Sequence, residues 1–230
     1  MTIQALALSP SREQSAQRDD DVLYLGGVPR LPAGTPWPTC RRCGADLTFY
    51  LHLAMPDGFA WAGRAVNVFA CTARCAGPDV APDAFRGYNT GDEVRVPPSY
   101  VPLYAEFFRL VVTDTAISAP RPGPGALLLF VRLAAKPTAN TTGKGLRIGG
   151  EPAFPRSWPR FKFRYGERGG VAPFLFQLPR GVRFEPLPGV PAQESLRNRC
   201  WRHVCMGMNP PVMAALSGDV DSGWRPAEMI

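Results

Sequence analysis

The chain has 230 residues, of which 45% are hydrophobic and 20% charged, with 23 Gly, 26 Pro and a formal net charge of +7. Glycine and proline together make about a fifth of it, against an ordinary share nearer 12%. It is too apolar for a disordered polymer and too often interrupted for a helix bundle, and long enough for one large domain or two packed halves. No run approaches 18 consecutive apolar residues, so no membrane span is expected. The N-terminus shows no basic segment followed by an apolar one, so a cytoplasmic location without membrane partners is the expectation.

Residues 1–21 mix Ser, Gln, Arg and Asp without an apolar period after Leu8. They read as a flexible N-terminal tail, open to partial ordering by docking. From Val22 onward, short apolar runs alternate with Pro and Gly. The segment Leu25-Gly-Gly-Val-Pro29 is a turn in which glycines permit positive φ and the proline fixes the exit direction.

Next come Cys40 and Cys43, then 27 intervening residues, then Cys71 and Cys75. Two closely spaced pairs in a chain expected to be cytoplasmic read as metal ligands rather than disulfides. A gap of two or three residues lets one turn aim two thiolates at one tetrahedral ion, and a second such turn closes the site. Four sulfurs leave no open coordination position, so the expected group is one structural Zn2+. Arg41, Arg42 and Arg74 flank the pairs with positive charge.

Between the pairs, Leu47 to Leu53 alternates, with Leu47, Phe49, Leu51 and Leu53 on one face and Thr48, Tyr50 and His52 on the other. Ala65 to Cys71 repeats the theme, with Val66, Val68 and Ala70 against Asn67 and Phe69, and Met55-Pro-Asp-Gly58 turns the chain between them. This is strand periodicity, and the two strands predict a hairpin that carries the second pair back to the first, as in a zinc ribbon. His52, on the polar face, is a candidate general base, metal neighbour or hydrogen-bonded surface group. Further strands are predicted over Glu106 to Thr113 and Ala126 to Leu133.

Ile148-Gly-Gly-Glu-Pro152 then repeats the Leu25-Gly-Gly-Val-Pro29 pattern. Each is followed by a Trp-Pro pair, Trp37-Pro38 and Trp158-Pro159. Phe49-Tyr-Leu-His-Leu53 lines up with Phe174-Leu-Phe-Gln-Leu178, which sets Gln177 opposite His52 as a second candidate binding residue. Matched features in one order predict a duplication. The fold class expected is mainly β (α+β): a first unit over 22–140 with a zinc-ribbon-like four-cysteine knuckle, and a second over 141–230, packed about a pseudo-twofold axis.

Between Arg156 and Arg202 lie ten Lys/Arg and three acids, a surplus equal to that of the whole chain. Arg160, Lys162 and Arg164 alternate with Phe161, Phe163 and Tyr165. On a strand the cations would form the surface face, a candidate contact for an anion or for RNA, while the aromatics would face the core. Cys200, His203 and Cys205 could supply ligands to a second metal or form a thiol pair. Short helices are predicted over Ser195 to Val204 and Pro211 to Ser217.

The run Leu25-Gly-Gly-Val-Pro, Trp37-Pro-Thr-Cys-Arg-Arg-Cys-Gly44, Leu47-Thr-Phe-Tyr-Leu-His-Leu and Val68-Phe-Ala-Cys-Thr-Ala-Arg-Cys75 resembles the bacterial YwqG-like family. It also resembles the N-terminal part of the programmed cell death protein 2 family. The resemblance is specific over 22–77 and looser over 148–178. It implies a duplicated β fold, no established catalytic residues, and a chaperone-like or immunity-like role in binding a partner protein. His52 departs from the glutamine usual at its position.

Three functions follow as expectations. The first is a non-catalytic, zinc-stabilised module that binds a protein or peptide, with an acidic partner suited to the arginine-rich third. The second is an RNA-associated factor using that same third. The third is a metal-dependent enzyme, for which no Ser-His-Asp order or His-Glu-x-x-His segment appears in the sequence.

Overall fold

A computed structural model describes residues 5–13, 15–41, 43–59, 61–72, 89–90, 93–95, 108–139, 145–150, 162–165, 170–171, 176–177 and 184–190. Among these, regular structure is entirely β. The strands are β1 (Ala5–Pro10), β2 (Leu23–Leu25), β3 (Arg30–Pro32), β4 (Thr48–Ala54), β5 (Arg64–Ala70), β6 (Asn89–Thr90) and β7 (Glu93–Arg95). They continue with β8 (Phe108–Asp114), β9 (Ser118–Pro120), β10 (Val131–Thr138), β11 (Arg147–Ile148), β12 (Lys162–Tyr165), β13 (Gly170–Val171) and β14 (Phe176–Gln177). Among the described residues no helix is long and apolar enough to cross a membrane. The two predicted helices lie outside the described residues.

Eight strands form one curled antiparallel sheet in the order β14-β11-β1-β10-β2-β4-β5-β8. The curl is built into β10. Its first residues, Val131 and Arg132, pair with β2, whereas Leu133 to Thr138 pair with β1. Pro137 is tolerated because it lies past the end of β2, where that edge of β10 meets no ladder. A second sheet has the order β13-β12-β7-β6, and β3 pairs with β9 in a short ribbon.

The hairpin expected from the alternation is present: β4 and β5 pair antiparallel from Thr48↔Ala70 to Ala54↔Ala65, with a bulge between Phe49 and Leu51. Its two faces are not divided into core and solvent. Every residue of β4 from Thr48 to Leu53 is buried, as is every residue of β5 from Ala65 to Ala70. Phe49 and Phe69 meet at 5.3 Å between centroids, and Trp37 stands edge-on to Phe69 at 5.5 Å. Burying both faces requires the polar positions to satisfy one another, since an unpaired polar group in a core is costly.

Within the flexible tail expected over residues 1–21, Ala5–Pro10 is instead a strand of the main sheet. Ala5–Pro10 fills the slot between β10 and β11, with Ala5 opposite Thr138 and Leu6 opposite both Pro137 and Ile148. Ala5 and Leu8 are buried there. The following segment is tied down by side chains that replace ladder bonds. The Gln17 amide both donates to the Val28 carbonyl and accepts from the Val28 N–H, each at 2.8 Å. Arg132 grips Asp21 through Nε at 2.6 Å and Nη2 at 2.9 Å. The guanidinium beside Asp21 holds that carboxyl below the usual carboxylate range.

The glycine pair after β2 is fixed by close approach. Gly26 and Gly27 adopt φ of 58° and 69°. The Gly26 N–H donates to Tyr50 at 2.7 Å and the Gly27 N–H to Leu128 at 2.9 Å. A Cβ on Gly26 would stand 2.1 Å from the Leu129 carbonyl oxygen. Gly149 and Gly150, after β11, also have positive φ.

The registers around these two turns correspond. Leu25 faces Leu51 on one side and Val131 on the other, and Tyr24 faces His52 and Arg132. In the same positions Ile148 faces Phe176 and Leu6, and Arg147 faces Gln177 and Ala7.

Candidate metal centre

The open end of the β4–β5 hairpin carries the cysteines. Just before β4, Thr39 and Asp46 form an isolated antiparallel bridge. Inside it, the Cys40 N–H donates to Ala45 and the Gly44 N–H donates back to Cys40, both at 2.8 Å. The loop is thus a closed knuckle, and Gly44, at φ 73°, supplies the left-handed residue that it needs. Leu47 enters β4 with its N–H on Pro38 and its carbonyl on the Trp37 indole at 2.9 Å. On the other strand, β5 ends at Ala70, so Cys71 emerges at the same end. The Thr48 and Thr72 hydroxyls join the strand ends across 2.8 Å.

This arrangement brings Cys40, Cys43 and Cys71 together. Their sulfurs lie within 4.8 Å of one another, and Cys43 Sγ is 3.6 Å from Cys71 Sγ although 28 positions separate them. A tetrahedral thiolate site with metal–sulfur bonds of about 2.3 Å places its sulfurs roughly 3.8 Å apart. The three thiols fit that shape, and the cluster can hold a metal ion. Cys40 and Cys71 are buried, while Cys43 is exposed. Cys75, the fourth ligand expected, lies outside the described residues.

Positive charge also approaches the cluster from β8, the strand predicted over Glu106 to Thr113, at a residue that the sequence did not single out. Arg109 of β8 stands opposite Phe69. Its guanidinium is held below its usual range by burial first and by the nearby Arg41 second, while Cys40 acts in the opposite sense. Arg109 thus belongs to the electrostatic surroundings of the sulfurs. Only the register of β5 against β8 reveals it, and no local motif could have done so.

His52 is neither near the surface nor set up as a base, which corrects its expected place on a polar face. It is 1% exposed and stacks on Tyr24, with ring centroids 4.9 Å apart and planes 19° apart. Its Nδ1 lies 2.8 Å from Asn67 Oδ1. The Asn67 amide nitrogen donates to the Val111 carbonyl at 3.3 Å and to Thr113 Oγ1 at 3.2 Å. The amide oxygen must therefore face His52, and Nδ1–H is the donor. Burial pushes the His52 pKa down to about 4, only partly opposed by the Asn67 hydrogen bond. The ring is neutral at physiological pH and serves as a core strut across three strands. Asn67 was the missed partner. Its signal was present: it sits directly across the ladder from His52.

The remaining candidates are not brought to the cluster by any described contact. Gln177 lies on β14 across from Arg147. Lys162 and Arg164 lie on β12, in parallel register with Glu93 and Arg95. Arg160, Cys200, His203 and Cys205 fall outside the described residues. No protein-family model matches the chain, and no curated protein shows significant similarity to it.

Proposed function

We propose that the protein is a non-catalytic, zinc-stabilised interaction module of the YwqG-like type, binding a partner protein or peptide. The observation that carries the reading is the convergence of three thiols, from the two strands that meet at one hairpin's open end, to within 4.8 Å. Zn2+ is the metal suited to a thiolate-only, tetrahedral donor set, and Cys75 is the ligand that would complete it. A site filled by four sulfurs has no position for a reacting water and acts by holding the hairpin shut.

The duplication belongs to the same reading. It is supported by the matching registers at Leu25 and Ile148 and by the order β14-β11-β1-β10-β2-β4. A twofold axis between β1 and β10 would exchange β14 with β4, β11 with β2, and β1 with β10. The N-terminal strand then completes the second unit, as β10 completes the first. In that arrangement the boundary at residue 22 falls inside the pair of units.

An extended peptide would add to an unpaired strand edge through backbone hydrogen bonds. The arginine-rich third would favour an acidic one, so raising salt should slow association more than it speeds dissociation. The test is metal analysis of the purified chain together with capture of protein partners at low and high salt. One zinc per chain and a salt-sensitive, stoichiometric partner are expected. No stable partner, with turnover of a small substrate, would overturn the reading.

A further inference from the structure

The cysteine cluster is uneven in a way that a purely structural site does not require. Cys40 and Cys71 are each 1% exposed, whereas Cys43 is open to solvent. An exposed sulfur is where an oxidant reaches first. Directly behind the exposed sulfur, Cys71 Sγ stands at 3.6 Å. A second sulfur at that distance needs to close by roughly 1.6 Å to reach the bonded separation of about 2.05 Å. The knuckle that carries Cys43 is a short loop, not a strand of the sheet.

We infer that the cluster is a thiol-oxidation site, with Cys43 as the sulfur attacked by a hydroperoxide and Cys71 as the sulfur that resolves it. In the first step the Cys43 sulfur takes one oxygen from hydrogen peroxide. The O–O bond breaks, the S–O bond of a sulfenic acid forms, and one water leaves. In the second step Cys71 attacks that sulfur. The S–O bond breaks, the Cys43–Cys71 bond forms, and a second water leaves. Two thiols lose two electrons and two protons, and one peroxide is reduced to two waters.

The consequence for the metal rests on the zinc reading above. Two of its ligands are consumed by the new bond, so the ion is released and the open end of the hairpin keeps a covalent tie in its place. Dithiol reduction returns both ligands.

The experiment treats the full chain, as purified with its metal, with hydrogen peroxide. Metal release is followed with a chromophoric chelator, and the products are mapped by peptide mass spectrometry. The expected result is a Cys43–Cys71 cross-linked peptide lacking two hydrogens, appearing in step with release of one metal per chain and reversed by a dithiol. In Cys43→Ser the cross-linked peptide should be absent, and peroxide should consume the Cys71 thiol at least about tenfold more slowly than in the unmodified chain. Cys71→Ser should leave a sulfenic acid at Cys43 that dimedone traps. A cross-link through Cys40 or Cys75 in place of Cys71, or a Cys43 that runs on to sulfonic acid in the unmodified chain, would overturn the proposal. If a metal-loaded chain keeps its thiols and its metal, the oxidation site is refuted and the zinc reading survives. If the chain never binds metal yet forms the Cys43–Cys71 bond, the reverse holds.

Discussion

His52 makes the packing of the hairpin measurable through pH. In the unfolded chain its imidazole titrates near 6.5, and in the fold burial holds it neutral down to about 4. Because the unfolded state takes up the proton first, the contribution is fully present above about 6.5 and is lost as pH falls through that window. Each pKa unit corresponds to about 1.4 kcal/mol, so the interval amounts to about 3 kcal/mol of stability lost between neutral pH and pH 4. His52→Gln keeps a donor for Asn67 Oδ1 and removes the titration. Urea unfolding of both proteins at pH 7, 5.5 and 4 isolates the term as a difference, since every other titrating group is shared. The expected result is a stability gap between the two that shifts by about 3 kcal/mol in favour of the glutamine variant on acidification. A gap that stays constant within about 0.5 kcal/mol would refute the claim that the ring is buried and neutral.

Two more substitutions probe the frame that holds the cluster. Gly26→Ala combines a left-handed φ with a Cβ aimed at the Leu129 carbonyl oxygen, and should cost about 3 kcal/mol or more in denaturant unfolding. Gly58→Ala, at φ 82° with open space around it, should cost about 1 kcal/mol; equal losses at both sites would contradict the close approach. Leu8→Ala removes a buried side chain of β1 and should lower unfolding stability by about 2–3 kcal/mol. A mobile tail would give a change within about 0.5 kcal/mol.

The parts of this fold that could be read from sequence are those set by local period and spacing. The β4–β5 hairpin was legible because alternation runs through both strands and a Pro-Asp-Gly turn joins them. The convergence of Cys71 on the knuckle then followed from the hairpin itself. Strand β1 was not legible. Its buried positions are Ala5 and Leu8, which break the period of two, and its partners arrive more than a hundred residues later. The end of β10 is not legible either, since its outer half carries Lys136 and Pro137 and is held by β1 alone. The exposure assigned to His52 failed for a related reason. A polar position in an alternating strand signals solvent only when no polar partner faces it, and Asn67 does so from β5. Likewise Arg109 comes within electrostatic reach of Cys40 only through the pairing of β5 with β8.

Zinc K-edge X-ray absorption on the purified full chain bears most directly on the idea that one ion fastens the hairpin's open end. Four sulfur scatterers at about 2.3 Å are expected in the unmodified protein, with the signal lost from Cys43→Ser. A first shell of nitrogen or oxygen, or zinc retained unchanged by that variant, would contradict it.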